Sequence, residues 1–544
     1  MCSVSQSLIP PDDGEIAVCE RNGHIIYVTD QSIIDSYMEG QVSTFPSIII
    51  SSESLRRTPA IVGETAKSAF LEQKETTAQR FKTAWYNLGV AGVLGEICSE
   101  ESNQIVYPLV QNICQYLLIG MRWIRGMNFT LFPHLKLSQE ALIAEFSMNR
   151  EWSTSPIRFL SWHPKAHKLA IALLDDTIKI HYTNIPLVPI LKHKLQKYVT
   201  CVEWKPLSAS ILAVGSQTAI LIWTVEPSSF STRPSAGAVQ VLSYSGHSPV
   251  TSLAWSPTGD DVLVAVSALN TAIVVWNTSM AEYQVIQHVT TCGGVSRVLW
   301  SPDGSKVLAA TPSSSFRIFE TGLWTNERWS NLAGRVQCAC WNPKGTTLLF
   351  ALTGDSHIYC VKFSNSQSID SPSASAHATV VLDLKYFDES ADSDSERQSQ
   401  EPTKANCIHS MVWDETGQRV AIMFHKDDPR QHLIALFSTS EDPAFSITAK
   451  GFLQGKEGVS PVFIAFKPNF YMGACLTVCW SNGSVSYIPI YIPDINSITS
   501  DFRFKAPNPY EANSSMLGST NPDRSGLWSS MAEGSVFASR TTLN

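Results

Sequence analysis

Long runs of any one character are missing from this sequence. No basic stretch is long enough to line a nucleic-acid groove, and 40 Lys and Arg face 48 Asp and Glu, a net charge of −8. That balance argues against a general nucleic-acid-binding surface. No segment is a clean bilayer span, which needs about 20 mostly apolar residues. The nearest, 105–124, is broken by Pro108, Gln111, Asn112 and Gln115. The first 20 residues carry Asp12, Asp13 and Glu15 and show no basic-then-apolar pattern, so no secretory signal is read there. Twelve cysteines are scattered, and the closest pairs, Cys338/Cys340 and Cys475/Cys479, lack the C-x-x-C spacing of a zinc knuckle. They read as reduced, buried thiols of an intracellular protein. Catalytic signatures are missing too: no G-x-S-x-G, no H-E-x-x-H and no phosphate-binding G-x-x-x-x-G-K-[ST]. The expectation is a protein without catalysis, cofactor or metal.

What is present is one phrase, repeated. An apolar strand ends in Trp, a Pro follows two residues later, and after a small turn comes a run of Leu, Val and Ala. The anchors are Trp162, Trp204, Trp255, Trp300, Trp341, Trp413 and Phe466, with gaps of 42, 51, 45, 41, 72 and 53 residues. Trp413-Asp414 lacks the proline, and the seventh copy substitutes Phe466-Lys467-Pro468. A period of about 40–50 residues with four short strands per unit is the signature of propeller blades. The fold expected is mainly β: a seven-bladed propeller of WD40 type over 151–493, with an N-terminal α-helical region and a disordered C-terminal tail.

The gap of 72 contains an acidic, Ser-rich tract at 388–404, read as a solvated loop between blades that phosphorylation could reach. The last repeat shows only three clear strands, near 461–466, 473–480 and 484–490. Residues 1–30 hold two strand-like runs around the turn signal Asn22-Gly23 and are expected to complete that blade and close the ring. Residues 31–61 read as linker and 494–544 as a disordered tail. Residues 62–150 change texture: Phe81, Trp85 and Leu88 recur at helical spacing, and Ser138 is placed to cap a helix over 139–146.

Gly246-His247, eight residues before Trp255, is the Gly-His signal of WD40 repeats, while the Trp-Asp end is degenerate. A closer resemblance covers the chain from its Met-Cys-Ser start to about 492. Leu131-Phe132-Pro133-His134-Leu135, Leu142-Ile143-Ala144-Glu145-Phe146, Ala172-Leu173-Leu174-Asp175-Asp176, Trp204 to Ser210 and Ser231-Thr232-Arg233-Pro234-Ser235 resemble the aladin family of WD-repeat nucleoporins. The likeness includes the segment before the first blade, which ordinary WD40 proteins lack. It implies a peripheral scaffold of the nuclear pore complex at the nuclear envelope. Its partners would be other nucleoporins, among them a transmembrane one that holds it, and it would support nucleocytoplasmic transport of protein and RNA. The alternative is another WD40 adaptor, a ubiquitin-ligase substrate receptor or a vesicle-coat subunit.

Individual residues read soberly. Asp175-Asp176 sits in a turn of the first blade, where a carboxylate holds neighbouring loops, and His247 is a structural histidine. The seven anchors are blade core. Binding is therefore where function must lie. Leu117, Met121 and Trp123, on the apolar stripe of 105–124, are the candidate docking residues; the same stripe could instead pack on the propeller's own side.

Overall fold

A computed structural model describes residues 10–29 save Asp13, 40–51, Leu55, a few positions at 116–120, and 133–492 apart from loops at 184–185, 226–238, 288–292, 364–376, 385–407 and 442–444, within the second of which Pro234 and Gly237 are also described. The chain divides into two compact units: 1–54 with 143–544, and 55–142. The acidic tract 388–404, the tail 494–544 and most of the expected helical region lie outside the described residues.

The first unit holds seven sheets in chain order, six of them antiparallel and four-stranded and the seventh mixed. Blade 1 comprises Ile157–Trp162, Lys168–Leu173, Ile178–Tyr182 and Ile190–Leu191. Blades 2 to 6 begin with Cys201–Trp204, Ser252–Trp255, Arg297–Trp300, Val336–Trp341 and Ile408–Trp413, and blade 7 with Pro461–Phe466. Each anchor aromatic is thus the last residue of an inner strand. The apolar run after it is the second strand, buried along its whole length in Lys168–Leu173, Thr347–Leu352, Arg419–Phe424 and Gly473–Trp480. Such a strand has neighbouring blades on both faces, so it loses the polar alternation of a half-exposed strand. Outer strands regain it, as in the largely exposed Thr325–Trp329.

The Trp side chains stitch blades together. Trp204 Nε1 donates to the Ser161 carbonyl at 3.1 Å and Trp255 Nε1 to that of Glu203 at 3.1 Å, each reaching back one blade. Trp162 does the same across the ring's seam, donating to Thr477 Oγ1 of blade 7 at 2.8 Å. The pattern then lapses: Trp300 bonds its own turn at Gly304, and the indole nitrogens of Trp341 and Trp413 have no partner.

Blade 7 has three strands of its own, Pro461–Phe466, Gly473–Trp480 and Ser484–Tyr491, and its outer edge is shared by two N-terminal segments. Ile16–Arg21 lies parallel to the end of Ser484–Tyr491, pairing Glu20 with Ile490 and Arg21 with Tyr491. His24–Val28 folds back on it antiparallel. At the other end Ile48–Ile49 pairs antiparallel with Val485 and Ser484. Within the stretch read as linker, residues 46–50 are therefore part of this blade. Ile48 and Ile50 are buried while Ile49 is 78% exposed, and Tyr487 Oη donates to the Pro46 carbonyl at 3.0 Å. Three isoleucines in a row are too short a run to announce an edge strand; the open edge of blade 7 makes them one.

Gly483 tests this docking. Its φ is +82°, and a Cβ there would lie 2.0 Å from the Ile50 carbonyl oxygen. Gly483→Ala is expected to lose about 1–2 kcal/mol from the left-handed backbone alone. Hydrogen exchange at the Ile50 amide, which donates to the Gly483 carbonyl at 3.0 Å, should accelerate.

In the second unit the described part ends in the helix Gln139–Phe146, which runs on into the first. Ser138 caps it, its Oγ accepting from the Ala141 amide at 3.2 Å.

Candidate binding face at the channel mouth

The starts of the inner strands and the turns after the second strands gather at one mouth of the channel. Residues 145–152 run along that mouth past five successive blades. Glu145 Oε1 accepts from Arg335 Nη2 at 2.6 Å where blade 5 begins. Arg150 Nη1 donates to the carbonyls of Phe424 and Gln431 on blade 6, at 3.2 and 2.6 Å. Its amide donates to Val462 O of blade 7 at 3.0 Å. The buried Asn149 donates to the Ile157 and Arg158 carbonyls of blade 1 at 2.6 and 3.1 Å. Trp152 Nε1 donates to Val199 O, at the entry to blade 2, at 2.9 Å. Long-range backbone bonds of this kind have no local sequence signature. The boundary at 150/151 accordingly moves: the first unit takes up the chain at Ile143.

The predicted site residues fall into place individually. Asp176, buried and at φ +64°, accepts from Arg158 and from the Val199 amide at 3.2 Å. The Arg158 guanidinium lies 4.2 Å from the Trp152 ring centroid. Asp175 instead accepts from the amide and hydroxyl of Thr177, at 3.1 and 2.7 Å. The two carboxylates are bound to different groups and form no acid–base pair. His247 is buried, its ring against the Ala265 backbone without a well-formed hydrogen bond, and burial pushes its pKa down to about 4. Leu117 is 53% exposed; Met121 and Trp123 lie outside the described residues. Among the described residues no cluster of three His, Cys, Asp or Glu has metal-binding geometry, and six of the seven described cysteines are buried.

Blade 2 shows what the sequence reading missed. Gln196 stands where blade 3 has its Gly-His histidine. Its Oε1 accepts from Trp223 Nε1 at 3.0 Å, and its Nε2 donates to the carbonyls of Asp176 and Leu191 at 2.7 and 3.2 Å. One amide thus ties blade 1's turn to blade 2's third strand. Gln196→Leu leaves the fully buried Trp223 indole unsatisfied and is expected to cost about 1–3 kcal/mol, read as a lower urea midpoint at unchanged slope.

A family description, "Aladin seven-bladed propeller", matches residues 138–491. The match starts at the helix cap and takes in the segment along the channel mouth. This chain belongs to the aladin family. Aladin of Arabidopsis thaliana is 24% identical over 502 residues, covering 88% of this chain and 97% of that protein. Protein HIR1 of Mycosarcoma maydis is 26% identical over 238 residues, 38% of this chain and 23% of that one. Among solved structures, the Myceliophteria thermophila Cps50 (Swd1) β-propeller domain is similar at a TM-score of 0.46 and 14% identity, covering 61% of this chain and 96% of that one. At that score the likeness adds nothing to the family match. The match to the plant aladin reaches beyond the blades, since that protein aligns over nearly its whole length.

Proposed function

We propose that this chain is a non-enzymatic scaffold nucleoporin of the nuclear pore complex, docking to a transmembrane nucleoporin and supporting nucleocytoplasmic transport of protein and RNA. The observation that carries this reading is the full-length alignment with a plant aladin, together with the family match over 138–491. The geometry is compatible: a rigid disc with loops on two faces offers surfaces and no reaction of its own. Contact with the pore membrane is peripheral, through the partner, and no helix among the described residues is long and apolar enough to cross a bilayer. The stripe around Leu117, Met121 and Trp123 is the docking surface we favour, on the exposure of Leu117 and of Tyr116 at 73%.

A fluorescently tagged chain should mark the nuclear rim. Leu117→Asp with Trp123→Asp should abolish the rim signal while circular dichroism and melting stay unchanged. Diffuse cytosolic or vesicular signal from the unaltered chain would overturn the nucleoporin reading in favour of another WD40 adaptor.

A further inference from the structure

We propose that the channel mouth at blades 4 and 5 binds one small oxyanion, a phosphate or carboxylate group, held by Arg297 and Arg335 and contested by Glu145. A small pocket, with room for about one water molecule while Glu145 is in place, is lined there by Glu145, Ser296, Arg297, Arg335 and Gln337 among others. Arg297 is only 9% exposed, yet its Nη1 is buried with no hydrogen-bond partner. Arg335 spends Nε on Thr353 Oγ1 at 3.1 Å and Nη2 on Glu145 at 2.6 Å and Gln337 Oε1 at 3.2 Å.

More positive and polar groups crowd behind this pair. His409, 7% exposed, has its Nδ1 without a partner, and the neighbouring Ser410 hydroxyl is likewise buried and unpaired. Burial first, then His425, Arg150, Arg297 and Arg335 acting on it electrostatically, hold the His409 pKa down at about 3. Among the described residues, Glu145 is the only carboxylate that hydrogen-bonds any of these three guanidiniums. A buried cation costs several kcal/mol unless it is paired and hydrogen-bonded. Glu145 sits on Arg335 and Glu151 acts on Arg150, so among the described residues Arg297 is the guanidinium left without a carboxylate partner.

Glu145 shows what fits. Its carboxylate already sits on Arg335, but its side chain is 48% exposed, so it can leave without breaking the core. The guanidinium fork is suited to the paired oxygens of phosphate or carboxylate. The inference is independent of any role at the pore.

The test is thermal unfolding of the full chain at pH 7 in chloride, acetate and inorganic phosphate at equal ionic strength. The expected result is a saturable rise in midpoint with phosphate, acetate or both over chloride, since a ligand that binds only the folded state stabilises it by mass action. Whichever anion acts alone tells phosphate from carboxylate. Arg297→Lys keeps the charge but loses the fork, and should raise the half-saturating concentration at least fivefold. Glu145→Gln removes the internal competitor from the rim and should lower it at least threefold. A rise of the same size and midpoint in all three proteins would mean a general salt effect and overturn the proposal. A flat response to both anions in the wild type and Glu145→Gln would overturn it equally, and that variant lies on the surface, where folding is not at risk.

Discussion

Replacing Glu20 with alanine is expected to destabilise the propeller by about 3–5 kcal/mol, the cost of leaving a buried charge without its partner. Glu20 is 0% exposed. It sits on the strand Ile16–Arg21 that covers blade 7, and both its oxygens are taken by Arg419 of blade 6. Nε donates to Oε2 at 3.0 Å and Nη2 to Oε1 at 2.7 Å. Arg419 keeps two further bonds, to Gln418 O and Ser438 Oγ, both at 3.0 Å, which place the loss toward the lower end. The double variant Glu20→Leu with Arg419→Met should recover most of the stability, because an apolar pair needs no compensation. Urea unfolding checks both, the midpoint moving at constant slope. Deleting residues 1–30 should cost more than the point variant. It also strips the buried Ala17, Val18 and Cys19 from the blade edge, and the 2.7 Å bond from Tyr27 Oη to the Phe452 carbonyl. An unchanged melting temperature after that deletion would rule out a clasp.

The second large effect is acid lability between pH 7 and pH 4. Burial holds His181 and His247 at about 4 and His409 at about 3, and lowers His163 as well, all against the usual 6.5. Each is a base whose folded pKa lies below its unfolded one. Below pH 6.5 the unfolded chain takes up protons that the folded chain refuses, so stability rises with pH and is lost as pH falls toward 4. The buried His247 and His409 should each account for a loss of about 2–4 kcal/mol across that window, at 1.36 kcal/mol per pKa unit. Glu203 works in the opposite sense: burial raises its pKa to about 7, so its contribution grows on acidification and offsets part of the loss. His409→Asn should flatten the pH dependence of the urea midpoint, and Glu203→Gln should steepen it. A slope identical to wild type in His409→Asn would show that this imidazole titrates alike in the folded and unfolded chain.

The Trp-x-Pro phrase was legible because it carries local physics. An aromatic closes the inner strand, a turn follows, and the next strand is buried on both faces, so the same letters must recur. Ser138 was legible for the same reason, since a cap acts three residues from the amide it satisfies. Residues 48–50 and 145–152 were not. Ile48 and Ile50 need an open sheet edge more than 400 residues away, and Asn149, Arg150 and Trp152 bond backbone carbonyls contributed by three other blades and their own. Backbone carbonyls are the same in every residue, so no side-chain pattern marks where such bonds will land. Gln196 escaped notice because an amide, unlike the Gly-His signal, is common at surfaces; only its position between Trp223 and the Asp176 carbonyl gives it a role.

By itself, then, the sequence determined the number of blades, their order and the family, because repeat spacing and hydrophobic runs act within one blade. The tertiary structure decided how the ring closes, with two N-terminal segments sharing the last edge and the Glu20–Arg419 pair locking one of them to blade 6. It also decided what faces the channel. Arg150, Arg297, Arg335 and His409 are spread over 260 positions with nothing between them to announce a cluster. Only the circular packing of inner strands brings their charges to one mouth.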